Sequence, residues 1–182
     1  ECQKKALEDW KKKNRKFLDK TRKGLLETFD SFIVHTPFPK IVEWVAALFW
    51  RHEKLKQKDH ITLTQCLKKP SLFLEYKKEL DEIRESPEFQ KFFIKKFSSG
   101  LKYSPYIGNS YTSSIFISLA GVLEKAKKNQ QIGISGYGGG ASSVCLRGVV
   151  TLEKRFKSDL ENQLKKGKKL TIKEYLKWRE RQ

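Results

Sequence analysis

The hydrophobic pattern opens with a charged stretch over residues 3–23, whose apolar positions Ala6, Leu7, Trp10, Phe17 and Leu18 predict a helix. Phe32-Ile33-Val34 is a short unbroken apolar run, the pattern of a buried strand. It ends at His35 and is broken by Pro37 and Pro39. Ile41, Val45, Leu48 and Phe49 then recur at helical spacing, which predicts an amphipathic helix over 40–52. Residues 53–70 read as a basic connection, and Leu72 to Arg84 as a further helix. Ser86-Pro87-Glu88 is a helix start: a capping hydroxyl, a proline at the first helical position and an acid near the positive end of the dipole. That helix carries Phe89, Phe92, Phe93 and Phe97.

Residues 101–108 read as extended, and Thr112 to Lys127 as a helix whose Ser113, Ser114, Ser118, Ala120 and Gly121 permit close packing. Ile132–Tyr137 and Ser143–Val150 read as two strands around a glycine turn. Two charged helices close the chain, the second opening on Thr171-Ile172-Lys173-Glu174 at capping-box spacing. Strands alternating with helices predict an α/β layered fold with extra charged helices, in a single domain over 1–182.

Composition changes this picture in three ways. The hydrophobic fraction is 38% and the charged fraction 33%, so the apolar content is thin for a free-standing globule. A half-domain completed by another chain would explain this, and a helix-rich charged surface explains it equally. The net charge is +18, from 31 Lys and 8 Arg against 21 acids, a field that attracts polyanions: nucleic acid, anionic surfaces, acidic proteins or nucleotide phosphates. Base-edge readout favours the planar fork of arginine, so the lysine excess argues against sequence-specific DNA binding. Cys2, Cys66 and Cys145 are odd in number and widely spaced, which argues against a disulfide framework and for a reducing, cytoplasmic setting. The polar start, Glu1-Cys2-Gln3-Lys4-Lys5, leads to the expectation of no secretory signal, and the longest apolar run, Ile115 to Leu123, is too short for a membrane helix.

Three segments carry candidate chemistry. His35 leaves a strand end, where an imidazole titrating near neutrality suits acid–base work, although a hydrogen-bonded structural histidine fits the same pattern. Asn109 follows Gly108 before a helix, so its amide suits a substrate carbonyl or a plain turn. Gly136-Tyr137-Gly138-Gly139-Gly140 offers bare backbone N–H groups, but its spacing is neither a Walker loop nor a dinucleotide fingerprint. His52 and His60 lack metal-ligand spacing to Cys66, and no metal is expected.

In register, these segments resemble one family. Phe29-Asp30-Ser31-Phe32-Ile33-Val34-His35-Thr36-Pro37-Phe38-Pro39-Lys40 resembles the segment of hydroxymethylglutaryl-CoA synthases, in the thiolase superfamily, that delivers the catalytic His of an H-x-P-F-x-K motif. Tyr106 to Ser114 resembles the family's G-N-x-Y-[TS]-[AGS]-S segment, and Ile132 to Gly140 its I-G-x-F-S-Y-G-S-G strand and turn. Gly136 and Gly139 replace the two serines of that last motif, so a backbone role survives and a hydroxyl role is lost. Ile172-Lys173-Glu174-Tyr175 is similar to a late helix of the family.

The resemblance is to the C-terminal half of such an enzyme, and it implies a mixed five-stranded sheet flanked by helices. It implies condensation of acetyl-CoA with acetoacetyl-CoA to 3-hydroxy-3-methylglutaryl-CoA, a step of isoprenoid synthesis, with no cofactor beyond the CoA substrates. By the same resemblance His35 is the general acid, Asn109 orients the acceptor, the Gly139 N–H completes an oxyanion hole, and Lys40 meets CoA. The family's acyl-accepting Cys and general-base Glu belong to the N-terminal half. Neither is present here, and none of Cys2, Cys66 and Cys145 stands in the required context. The implied partner is therefore a chain bearing that Cys and Glu, in a dimer of such pairs, with an acetoacetyl-CoA thiolase or an acidic carrier protein as further partners and no membrane. Three rivals stand beside this reading: a β-branching subunit acting on carrier-bound β-ketoacyl groups, a non-catalytic binding subunit, and a basic nucleic-acid-binding protein. The last accounts for the charge but not for the three motifs.

Overall fold

The computed structural model describes residues 2–21, 23–54, 65, 68–138, 142–151, 153–154 and 156–180. The chain begins with helices α1 (Cys2–Lys13), α2 (Arg15–Thr21) and α3 (Leu25–Thr28), followed by strand β1 (Ser31–Val34). Helix α4 (Pro39–Lys54) leads across the basic connection to α5 (Pro70–Glu85) and α6 (Pro87–Lys96). A 3-10 turn (Ser98–Leu101) and the short α7 (Ser104–Ile107) precede α8 (Ser113–Leu123). Strands β2 (Gln131–Gly138) and β3 (Ser142–Val149) and the terminal helices α9 (Leu160–Lys166) and α10 (Ile172–Arg179) complete the order.

The sheet runs β1-β2-β3, with β1 parallel to β2 and β2 antiparallel to β3. The five strands implied by the resemblance are therefore corrected to three among the described residues. These three are the segments whose own apolar patterning predicts strands. Residues 101–108 are also corrected: they form helical turns, not an extended stretch. Pro105 sits in the first turn of α7 with its φ already fixed, and Gly108 ends that turn at φ +72, a left-handed conformation that costs glycine little.

Alternation along β1 sorts its side chains between two layers. Phe32 and Val34 enter a core shared with Leu7, Trp10, Phe29, Val42, Ala46, Phe49, Phe89, Phe93 and Phe97. Ile33 faces the other way, packing with Ile132, Val150 and Val122 beneath α8. The aromatic side of the sheet is a chain of ring contacts: Trp10–Phe29 at 5.2 Å, Phe29–Phe32 at 5.0 Å and Phe32–Phe97 at 5.2 Å between centroids. Each such ring, fully buried, contributes roughly 1.5–3 kcal/mol by removal from water.

Helix α5 is tied to α4 by two arginines. Arg84 meets Glu43 and Asp81 at 2.6 Å each and lies over the Trp44 ring, while Arg51 meets Glu79 at 2.9 Å and lies over Tyr76. The cap predicted at Ser86 is present, its hydroxyl accepting the Phe89 N–H at 3.3 Å. At the far end of α8, Glu124 accepts from Lys102 and from the Tyr103 hydroxyl at 2.6 Å each, and from Ser158, which fastens the C-terminal arm.

Candidate active site

Because β1 and β2 run parallel, their C-terminal ends lie together at one edge of the sheet, the edge where α/β proteins place chemistry. His35 leaves β1 there, held by its own N–H to the Ser135 carbonyl at 2.9 Å. Two residues beyond Ile33, it falls on the α8 face of the sheet. On β2 the same alternation sets Gly136 on that face with Ile132 and Ile134, and a Cβ at Gly136 would meet Ile115 of α8 at 3.5 Å.

The imidazole is half-buried, and its Nδ1 lies 3.0 Å from the hydroxyl of Ser114 in the first turn of α8. That same hydroxyl oxygen accepts the Thr36 N–H at 3.4 Å. Thr36 is buried, and its own hydroxyl donates to the Val34 carbonyl at 2.7 Å, so the turn after β1 is pinned on both sides of the ring. His35, Thr112, Ile115, Gly136, Tyr137, Gly138 and the first three residues of β3 line an open cavity of about 250 Å³. The volume falls below the range usual for a complete small-molecule site, roughly 300–1,000 Å³.

Of the residues singled out in the sequence, His35 lines this cavity together with Gly136, Tyr137 and Gly138 of the glycine-rich segment. Asn109 is exposed in the connection from α7 to α8, and its side-chain oxygen accepts the Tyr111 N–H at 2.9 Å. This turn holds Tyr111 at φ +52, a conformation a non-glycine residue adopts at steric cost. Lys40 is exposed in the first turn of α4 and lines a separate cleft with Trp44, Lys77, Asp81 and Arg84. Gly139, His60 and Cys66 lie outside the described residues. Ser114 is the site residue that sequence reasoning missed. It was visible only as one of several small residues on a close-packed helix, because its bond to His35 spans 79 positions.

Cys145 is not placed to act as a nucleophile. It packs against the aromatic core, and burial pushes its thiol up to about 11, so it stays protonated at neutral pH.

The family model described as hydroxymethylglutaryl-coenzyme A synthase C terminal matches residues 2–182. The chain belongs to this family. Family members are acyltransferases, and this chain is a C-terminal domain of the synthase type. Among solved structures it is similar to PksG, a hydroxymethylglutaryl-CoA synthase from Bacillus subtilis, at 18% identity and TM-score 0.63 over 96% of this chain and 38% of that one. It is similar to MvaS in complex with 3-hydroxy-3-methylglutaryl coenzyme A at 22% identity and TM-score 0.63, covering 85% of this chain and 35% of that one. A third likeness is the synthase of the curacin biosynthetic pathway, crystallised with a holo donor-ACP, at 23% identity and TM-score 0.61 over 90% of this chain and 34% of that one. These likenesses establish a shared fold, and the chain spans little more than a third of each of those proteins. No helix among the described residues is long and apolar enough to cross a membrane.

Proposed function

We propose that this chain is the acceptor-binding and general-acid half of a hydroxymethylglutaryl-CoA synthase, working with a partner chain that carries the nucleophilic Cys and the general-base Glu. The observation that carries the reading is His35: an imidazole at the sheet edge, anchored at Nδ1 and facing an open cavity. An acetyl group held on the partner's Cys loses a proton to the partner's Glu, and the resulting carbon nucleophile attacks the ketone of acetoacetyl-CoA. Negative charge develops on the ketone oxygen, where His35 donates a hydrogen bond and then a proton. That is the point at which a positioned acid contributes about 10²–10⁴ in rate. Asn109 orients the acceptor thioester, the Gly139 N–H stabilises the acyl oxygen on the Cys, and Lys40 meets the phosphates of CoA.

Two features support a partner half. Helix α8 has no charged residue from Ser113 to Leu123, and a helix apolar all round is covered on all sides in its working assembly. Yet Phe116 is 65% exposed, and on the same side of the sheet Val144 and Leu146 of β3 are 49% and 52% exposed. The charge of +18 favours a second acceptor class, an acidic carrier protein bearing the β-ketoacyl group in place of CoA.

The test of the main reading separates the two chemical steps in the assembled enzyme. His35→Ala is expected to abolish condensation and leave acetylation of the partner's Cys within about threefold. Equal loss of both steps would remove His35 from the acceptor side.

A further inference from the structure

The hydrogen bonds around Ser114 run in one direction. The Thr36 N–H can only donate, and it donates to the Ser114 oxygen. Ser114 is buried, and among the described residues the one acceptor within reach of its hydroxyl proton is the nitrogen 3.0 Å away, Nδ1 of His35. Both ends of this relay are fixed: Thr36 is 2% exposed on the turn after β1, and Ser114 is 4% exposed in the first turn of α8. Among the described residues no other side chain hydrogen-bonds to the ring.

We infer that Ser114 is a positioning residue that selects the tautomer of His35. By donating to Nδ1 it keeps that nitrogen an acceptor and places the single proton of the neutral ring on Nε2. Neutral His35 is then a hydrogen-bond donor toward the cavity, as an oxygen gaining negative charge requires. Its proton passes to that oxygen with no ring flip, and Nε2 is re-protonated from solvent, which receives in turn the proton that the partner's Glu took from the acetyl group. The inference rests on the proposed role of His35 as the group facing the acceptor, and it adds a direction to that role. A ring protonated on Nδ1 would present a lone pair to the oxyanion and repel it. Neither motif spacing nor strand patterning carries this assignment, because Ser114 reaches His35 from another element.

The test uses this chain assembled with its Cys-bearing partner, the histidines of this chain alone labelled with ¹⁵N and His35 assigned by its loss in His35→Gln. In the unaltered complex the ring is expected to be a single species protonated at Nε2. Ser114→Ala is expected to give a mixture of both tautomers and to lower condensation about ten- to a hundredfold while acetylation of the partner's Cys is unchanged. Ser114→Thr, which keeps the hydroxyl, is expected to restore the single tautomer and most of the rate. A wild-type ring protonated at Nδ1 overturns the inference whatever the variants do, and so does a Ser114→Ala enzyme with unaltered tautomer and rate. Retention of condensation by His35→Ala would instead refute the parent reading, while the ring spectrum would still report on Ser114.

Discussion

At the scale of single residues, two side chains outside the proposed chemistry sit in surroundings that shift their titration in opposite senses. Burial holds the Cys145 thiol up at about 11, so its alkylation by iodoacetamide is expected to stay slow at pH 8 and to accelerate only toward pH 11. Peptide mass spectrometry measures this site by site, and rapid labelling at pH 8 would contradict the buried setting. Glu124 behaves in the opposite sense. Burial raises its pKa, but the bonds from Lys102, Ser158 and Tyr103 outweigh burial and bring it from 4.5 to about 2. The unfolded chain therefore takes up this proton at higher pH than the folded one. These bonds to Glu124 contribute stability in full above about pH 4.5 and lose it as pH falls toward 2. Melting temperatures of the unaltered protein and of Glu124→Gln are expected to differ at pH 6 and to converge near pH 2. A gap that persists at pH 2 would mean the carboxylate is not the source.

At the scale of elements, two substitutions test the packing that delivers His35 and Ser114 to one place. A methyl group at Gly121 would overlap the Ser99 carbonyl oxygen, where α8 crosses the 3-10 turn. Gly121→Ala is expected to cost about 1–3 kcal/mol in denaturant unfolding. Ser86→Ala removes the side-chain cap of α6 and is expected to cost about 1 kcal/mol. Both the Ser86 cap and the Thr171–Glu174 capping box were legible in the sequence, because each is a local pattern of three or four residues. The three strands were legible for the same reason, each being bounded by breakers. The helical turn at Ser104–Ile107 was not: residues 101–108 read as extended, whereas Pro105 lies in the first turn of a short helix there and Gly108 ends it. The expectation of five strands came from likeness to a longer protein and from no apolar run in this chain. His35 was legible from its position after a strand, but its partner on α8 was not, since no local pattern reports a contact across 79 residues.

At the scale of the whole molecule, the questions are what covers the apolar side of α8 and β3 and what the charge meets. If the basic surface receives an acidic carrier protein, turnover of a carrier-bound β-ketoacyl acceptor is expected to fall steeply between 50 and 200 mM salt. Turnover of acetoacetyl-CoA would fall less, because a small acceptor leaves fewer charges to screen. Direct competition between the two acceptors at low salt measures the preference, and a carrier that does not compete would leave CoA as the acceptor. The uncovered faces of α8 and β3 bear on the central claim, that the chain is one half of a two-chain site. Native mass spectrometry of the protein purified from its own source, with each component identified by peptide sequencing, tests that claim most directly. The account predicts a stable complex with a second chain of about half-enzyme size that carries a Cys able to accept an acetyl group. Recovery of this chain alone, or as an assembly of its own copies, would contradict it.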